Sequence, residues 1–227
     1  MPRVPRFVVP GLPHHVTQRG NYRQPVFFND ADRQFFLRRL AKCAKQHGID
    51  VLAWCLMINH FHLIAIPRRR DSFALGLRAL LGEYSLRINS QRGEARGHIW
   101  QSRFYSCALS ERHLRIALRY VELNPVRANL VDDPEQYPWS SARGHLGLVA
   151  PLGVGPAQGL GTPHEWAAWL QAGASEDEEE QLRECTFSGR VFGTARPQRV
   201  RPRKEGRSLI SVPNLSVSNR HFPGLRQ

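Results

Sequence analysis

Cysteine is scarce in this 227-residue sequence, which contains four. No two of them form a Cys-x-x-Cys pair, and this argues against a zinc ribbon and against a redox dithiol. A disulfide framework in a chain of this length normally uses more cysteines, so we expect free thiols in a reducing compartment. The four positions are Cys43, Cys55, Cys107 and Cys185.

Long hydrophobic runs are also missing. The sequence contains no stretch of 18 or more apolar residues, so it predicts no membrane-spanning helix. Residues 1–13 lack the apolar core and the small-residue cleavage site of a signal peptide. We therefore expect a cytoplasmic protein with no membrane partner.

Acidic residues are few relative to basic ones. The chain has 19 Asp and Glu against 32 Lys and Arg, which gives a formal net charge of +13. Such an excess indicates a polyanionic partner, and nucleic acid is the leading candidate. A membrane surface is the alternative, but the basic residues are scattered among Pro, Gly and apolar positions instead of lining one amphipathic helix.

The hydrophobic content of 41% is enough for one sizeable core and leaves little for a second domain. Glycine and proline are frequent between residues 147 and 163, which is typical of a linker. An acidic block at 176–180 and a Pro- and Arg-rich segment follow it, and like charges in blocks are usually solvated. The sequence predicts one domain over residues 1–147, and over residues 148–227 a linker with a basic, flexible C-terminal tail.

Hydrophobic periodicity predicts secondary structure in the order strand, helix, strand, strand, helix, strand, helix. The strands are expected at 15–19, 49–56, 60–66 and within 99–109, and the helices at 30–47, 71–89 and 111–123. This order is typical of an α+β, ferredoxin-like (RRM-like) βαββαβ fold. Its antiparallel sheet would carry helices on one face and leave the other face free for a substrate, with an irregular C-terminal tail after it.

Two histidines stand one residue apart inside the apolar run 54–66. If this run is a strand, His60 and His62 point to one face and Phe61 points to the other. Neutral imidazole is a common metal ligand, so the pair indicates half of a metal site at a fixed separation. The alternative is that both histidines are ordinary solvent-facing strand residues.

A tyrosine and an asparagine stand four residues apart near the end of the last predicted helix. If the last turn persists, Tyr120 and Asn124 share a face with Arg119 beside them. A tyrosine oxygen can attack phosphorus while a metal polarises the phosphate and an arginine neutralises charge. Tyr120 can equally be a partly buried helix aromatic, and Asn124, which precedes Pro125, can simply end the helix.

Several motifs together resemble those of a known family. Residues 55–63 (CLMINHFHL) resemble the His-hydrophobic-His motif of the single-tyrosine transposases of the insertion-sequence type. Residues 119–131 (RYVELNPVRANLV) resemble the tyrosine helix of these enzymes in the form found in REP-associated tyrosine transposases. Supporting stretches in the same order are 15–21 (HVTQRGN), 97–105 (GHIWQSRFY) and 137–141 (YPWSS). The resemblance extends over about residues 1–147, and the tail departs from it after about residue 193.

The resemblance implies a chemistry. In such enzymes the tyrosine attacks single-stranded DNA, giving a 5′-phosphotyrosine link and a free 3′-hydroxyl. By resemblance the nucleophile is Tyr120, and His60, His62 and Asn124 hold Mg²⁺ or Mn²⁺ at the scissile phosphate. Zinc would also suit the two nitrogen ligands. The covalent link conserves the energy of the broken phosphodiester, so no nucleotide cofactor is expected.

The resemblance also implies a partner. Members of the family recognise DNA hairpins with a short single-stranded guide, so we expect a nucleoid-associated monomer or homodimer that binds hairpin DNA. The expected backbone contacts are Arg19, Arg23, Arg103 and Arg119, and the expected stacking residues are Trp100 and Phe104. One alternative is a non-catalytic regulator that binds hairpin DNA on the same fold. Another is a hydrolytic phosphoesterase in which the histidine pair works without a covalent tyrosine.

Overall fold

The structure is a computed structural model that describes residues 7–93, 97–149, 161–172 and 175–188, without the side chains of Arg112 and Glu176. The strands are β1 (His14–Arg19), β2 (Ile49–Leu56), β3 (His60–Pro67) and β4 (Tyr105–Ala108). The helices are α1 (Asp30–His47), α2 (Ser72–Gln91), α3 (Glu111–Glu122), α4 (Asn124–Arg127), α5 (Ala142–His145), α6 (Pro163–Gln171) and α7 (Glu176–Ser188). Across these ranges, no helix has the length and apolar character needed to cross a membrane.

The four strands form one antiparallel sheet in the order β2-β3-β1-β4. This arrangement confirms the predicted α+β, βαββαβ fold class. In the register of β1 and β3, Thr17 lies opposite His62 and Arg19 lies opposite His60. The predicted strand within 99–109 is shorter than expected, because only Tyr105–Ala108 pair regularly with β1.

Helices α1 and α2 cover one face of the sheet, as predicted. The Asn29 side chain accepts the Asp32 N–H at the start of α1, and Gly48 ends the helix with a left-handed φ of 63°. Phe36 of α1 packs against Phe61 of β3 at a ring-centroid distance of 5.1 Å. Phe61 is fully buried, so its truncation to alanine would cost about 3–5 kcal/mol of stability.

Helices α3 and α7 lie over the other face, which the βαββαβ pattern predicted to be free for a substrate. Helix α3 contacts β2 and β3, while α7 contacts β4 and β1. The reason lies in the strands, because almost every residue of β2 and β3 is buried and not only every second one. A strand that is apolar on both faces needs cover on both faces.

The segment predicted as linker and tail contains two of these helices. Thr162 begins α6 with a capping box to Glu165, and Trp166 is buried against the rest of the chain. On α7, Leu182 and Thr186 lie four residues apart on one face of the helix, and both side chains are buried. A domain boundary near residue 147 stays a prediction, and the predicted tail from residue 189 onward lies outside the described residues.

The buried carboxylate of Glu122, at the end of α3, connects α3 to α5 and α6. We call Glu122, Ser141, His145 and Trp166 the Glu122 cluster. Glu122 accepts hydrogen bonds from the Ser141 hydroxyl (2.6 Å), from the ring of His145 and from the Trp166 indole N–H (2.7 Å). Both carboxylate oxygens therefore have donors, which is the condition under which a buried carboxylate stabilises a fold.

Candidate active site

A cavity of about 270 Å³ opens on the sheet face covered by α3 and α7. Strand β1 contributes His15, Thr17 and Arg19 to its wall, and β3 contributes His60 and His62. These are alternate residues of two neighbouring strands, so all five side chains leave the sheet on the same side. The structure therefore brings the predicted histidine pair to one face, together with a third histidine.

Hydrogen-bonding contacts at Nδ1 orient the imidazoles of His60 and His62. His60 Nδ1 lies 2.7 Å from Asn59 Oδ1, and His62 Nδ1 lies 2.9 Å from His15 Nε2. The rings of His60 and His62 are 4.9 Å apart and nearly perpendicular, whereas His15 stacks on His62. Within the described residues, the Nε2 atoms of His60 and His62 have no hydrogen-bond partner.

Burial keeps these imidazoles neutral. It lowers the pKa of His60 to about 4, with a smaller contribution from the nearby charge of Arg19. It lowers the pKa of His15 to about 3 and that of His62 well below its usual value. A neutral imidazole can bind a cation without first losing a proton, so the pair suits a metal at neutral pH.

The donor set fits a divalent cation in part. His60 and His62 can each direct an Nε2 lone pair into the cavity, and their Nδ1 partners hold the rings in place as metal-ligating histidines require. No group of three or more His, Cys, Asp or Glu side chains forms a ready metal site anywhere in the described ranges. A cation here would take its remaining ligands from oxygen, for example from water or phosphate.

Tyr120 of α3 lies over the histidines. Its ring centroid is 5.5 Å from that of His62 and 5.7 Å from that of His15, edge to face in both cases. The Arg127 guanidinium lies 4.3 Å from the centre of the Tyr120 ring, and that of Arg183 lies 5.8 Å from it. Two cations therefore border the phenol, and Arg127 remains charged at neutral pH although burial lowers its pKa to about 10.

The helix does not continue regularly from Tyr120 to Asn124. Arg127 Nη2 donates to the carbonyl oxygen of Tyr120, and Asn124 begins the separate helix α4. Asn124 is not among the residues that line the cavity. Its Nδ2 atom is buried without a hydrogen-bond partner among the described residues. A ligand role for Asn124 stays a prediction.

The predicted arginines divide into two groups. Arg19 and Arg23 line the cavity. Arg103 lies exposed in the segment before β4, and the Arg119 guanidinium lies 4.6 Å from the ring centre of Trp169 in α6. The structure thus places the first two where a phosphate in the cavity could reach them, and Arg119 in a contact between helices.

The turn that carries Arg23 is tightly constrained. A Cβ atom on Gly20 would lie 2.3 Å from the carbonyl oxygen of Gln24, so only glycine fits there. Tyr22 and Arg23 have φ values of 50° and 59°, a region that side chains rarely adopt. Asn59 holds the turn, since its Nδ2 donates to the Arg23 carbonyl while its Oδ1 contacts His60.

The predicted stacking residues lie on the other face of the sheet. Phe104 is buried, with its ring 6.5 Å from that of Phe73. Trp100 is half-buried, its ring 5.8 Å from that of Phe61, and its indole N–H donates to the Leu81 carbonyl. Their positions give no support to base stacking, which stays a prediction.

Sequence reasoning missed several residues of this site. His15 belongs to one of the supporting motifs, but no role was predicted for it. On β1 it alternates with Thr17 and Arg19, so it lies on the same face of the sheet as His60 and His62. Thr186, Arg183 and Phe187 of α7 also line the cavity. The composition of their segment predicts a flexible tail, and no local pattern indicates that it returns to the sheet.

Comparison with known proteins identifies the family. Residues 8–124, just over half of the chain, match the family described as "Transposase IS200 like". This match confirms the family indicated by the His-hydrophobic-His motif and the tyrosine helix. A search of the curated proteins found no match.

Two solved structures are similar to this one. A REP-associated tyrosine transposase bound to a REP hairpin is 22% identical, with a TM-score of 0.54 over 67% of this chain and 90% of the other. This match supports the fold. A candidate transposase from Deinococcus radiodurans R1 is also 22% identical, over 54% of this chain and 96% of the other, and its TM-score of 0.36 is too low to add to the argument.

Proposed function

The chain belongs to the IS200-like transposases, and we propose that it cleaves and rejoins single-stranded or hairpin DNA through a covalent link to Tyr120. His60 and His62 would hold Mg²⁺ or Mn²⁺ beside the scissile phosphate, with Asn124 as a further ligand suggested by the resemblance alone. The observation that carries the proposal is the meeting of Tyr120 with the two imidazoles in one cavity that arginines also line.

The chemistry follows from the residues of the cavity. The Tyr120 oxygen attacks phosphorus, an O–P bond forms, the bond from phosphorus to the 3′-oxygen breaks, and a proton ends on that oxygen. When a metal ion is bound, it polarises the phosphate and stabilises the charge that develops in the transition state. Arg183, which borders the Tyr120 ring and lines the cavity, would neutralise the phosphate, whereas Arg127 does not line the cavity and is ion-paired with Glu179. Attack by a 3′-hydroxyl on the phosphotyrosine reverses the step and joins a strand.

The other tyrosines fit the role of nucleophile less well. The Tyr84 hydroxyl donates to the Val26 carbonyl inside the core, and burial raises the pKa of this phenol. Tyr137 likewise donates to the Leu56 carbonyl. Tyr22 is exposed on its turn and does not line the cavity. Tyr105 does line it, and is therefore the competitor that an experiment must exclude.

A hairpin is the proposed substrate because a related structure was solved with one. The similar REP-associated transposase is bound to a REP hairpin, and the cavity here is reached by Arg19 and Arg23, which suit a phosphate backbone. The net charge of +13 provides the long-range attraction.

The proposal is tested by incubating the protein with end-labelled hairpin DNA and Mn²⁺ and looking for an adduct that survives denaturation. We expect the adduct with the unmodified chain and with Tyr105→Phe, and none with Tyr120→Phe. An adduct that persists in Tyr120→Phe contradicts the assignment of the nucleophile. Cleavage without any adduct indicates a hydrolase, and binding without cleavage indicates the non-catalytic regulator.

A further inference from the structure

A chain of hydrogen bonds runs from α7 to the predicted metal ligand His62. The Thr186 hydroxyl donates to the carbonyl of Leu182 at 2.7 Å, one turn earlier in α7. His15 Nδ1 lies 2.7 Å from the Thr186 oxygen, and His15 Nε2 lies 2.9 Å from His62 Nδ1. Both imidazoles are buried, and each of the three nitrogens in this series of hydrogen bonds has one partner.

The direction of this chain decides which nitrogen of His62 carries its proton. The Leu182 carbonyl can only accept, and a Thr186 hydroxyl that donates to it accepts from His15 and from the Cys107 thiol, 3.3 Å away, so that His15 carries its proton on Nδ1. His15 Nε2 is then an acceptor, and His62 must donate to it from Nδ1. The His62 Nε2 atom is left with a free lone pair. The opposite direction would place a proton on that atom, and a protonated nitrogen cannot bind a metal.

We propose that His15 and Thr186 are positioning residues, which hold His62 in the tautomer whose Nε2 faces the cavity as a metal ligand. This inference rests on the proposed function for its purpose, but the tautomer itself is a property of the metal-free protein. It gives α7 a role in the site, because the Leu182 carbonyl accepts from Thr186 and so sets the direction of the hydrogen bonds that lead to His62.

His60 is oriented separately. Its Nδ1 meets Asn59 Oδ1 at 2.7 Å, and the Asn59 amide group donates in turn to the carbonyl of Arg23. The amide thereby presents its oxygen to His60, which likewise leaves the His60 Nε2 atom for the cavity. The two predicted ligands are therefore held from opposite ends of the site by unrelated segments, and a change in α7 should affect His62 alone.

The first test is nitrogen-15 NMR of the histidine side chains in the full-length, metal-free protein. The His62 signals are assigned by their loss in His62→Gln. We expect a protonated Nδ1 and an unprotonated Nε2 on His62 in the unmodified chain. A protonated Nε2 would overturn the proposal, and this result does not depend on whether any variant at His15 or Thr186 folds.

The second test measures Mn²⁺ affinity by calorimetry. Thr186→Val removes the oxygen that accepts from His15, and we expect Mn²⁺ affinity to fall about tenfold or more, as for other changes of partners of metal ligands. Thr186→Ser keeps the hydroxyl and should keep the affinity. His15→Phe keeps a ring against His62 but loses the acceptor, whereas His15→Gln restores an acceptor near the Nε2 position and should recover part of the loss.

The outcomes separate this inference from the proposed function. We call the hydrogen bonds from Thr186 through His15 to His62 the relay. Unchanged Mn²⁺ affinity and an unchanged His62 tautomer in both Thr186→Val and His15→Phe would overturn the role proposed for the relay. If the unmodified chain shows the expected tautomer but takes up no Mn²⁺, the relay stands and the proposed metal chemistry fails. If it forms the Mn²⁺-dependent adduct while His62 is protonated on Nε2, the proposed function stands and the relay fails.

Discussion

Two buried polar clusters lie at the tyrosine helix α3, and they differ in one respect. In the Glu122 cluster both carboxylate oxygens have donors, from Ser141, His145 and Trp166. In the cluster of His15, His60 and His62, two Nε2 atoms have no partner within the described part of the chain and belong to the cavity wall. We call the Glu122 cluster closed and the cluster of His15, His60 and His62 open. A closed cluster stabilises the fold. An open cluster keeps its ligand atoms available, and they gain partners only from a bound metal or substrate.

The largest expected effect is on the open cluster. His60→Ala or His62→Ala should lower the rate of DNA cleavage by at least about 10³-fold, because a metal ion contributes several kcal/mol of transition-state stabilisation. His62→Ala also removes the hydrogen-bond partner of His15 Nε2 and should cost about 1–3 kcal/mol in the free energy of unfolding, so the cleavage rates are compared well below the unfolding temperature. Cleavage rates and thermal unfolding curves of the same preparations provide the check. Cleavage that survives either change would show that the cluster is not a metal site.

The closed cluster should respond in the opposite way. Glu122→Gln places an amide where three donors converge and leaves at least one of them unpaired, at a cost of about 3 kcal/mol in the free energy of unfolding. Mn²⁺ affinity measured well below the unfolding temperature should remain within about twofold of the unmodified chain. Ser141→Ala, which removes one donor, should cost about 1 kcal/mol. A loss of Mn²⁺ affinity without a loss of stability would show that Glu122 belongs to the metal site, and would contradict the division into two clusters.

The open cluster should also make stability depend on pH. Burial lowers the pKa of His60 to about 4 and that of His15 to about 3, below the usual value of 6.5 that applies in the unfolded chain. The unfolded chain then binds protons that the folded chain does not. The free energy of unfolding should be highest above pH 6.5 and fall below it, by about 1.4 kcal/mol per pH unit for each titrating histidine.

Denaturant unfolding between pH 7 and pH 4 measures this slope. His14 adds to it from the other face of the sheet, because burial lowers its pKa to about 4 as well. His15→Gln should therefore reduce the slope without abolishing it. A stability that is constant from pH 7 to pH 4 would mean that these histidines are not buried as described.

The smallest expected effect is on the arginines of the cavity. Arg19→Ala and Arg23→Ala should each weaken hairpin binding and reduce the slope of log K against log salt by about 1, as expected for the loss of one phosphate contact. Arg103→Ala removes an exposed arginine that does not line the cavity; this variant is the matched control and should change the slope less. Equal effects of all three would mean that DNA does not enter the cavity in the proposed way.

Much of this architecture could be predicted from local signals. Asp30 and Gly48 mark the ends of α1, and the alternation around Phe61 is enough to predict that His60 and His62 share one face of β3. The positions of α6 and α7 could not be predicted in this way. Their packing depends on contacts such as Trp166 with Glu122 and Thr186 with His15, between residues 44 and 171 positions apart.

The site shows the same division. His60, His62 and Tyr120 can be predicted because each belongs to a short motif on one element. Thr186 cannot, because its role exists only once α7 has folded back onto β1. The spacing predicts Asn124 one helical turn after Tyr120, but Arg127 takes the Tyr120 carbonyl and α3 ends before that turn forms.

The central claim is that Tyr120 and the open histidine cluster form one site, and mapping the covalent link tests it most directly. The protein is incubated with hairpin DNA and Mn²⁺, digested with protease and nuclease, and analysed by mass spectrometry for a tyrosine that carries a 5′-phosphate nucleotide. We predict the modification on Tyr120 in the unmodified chain and its absence in His62→Ala. A nucleotide found on Tyr105 or another residue, or one on Tyr120 that persists in His62→Ala, would contradict the claim.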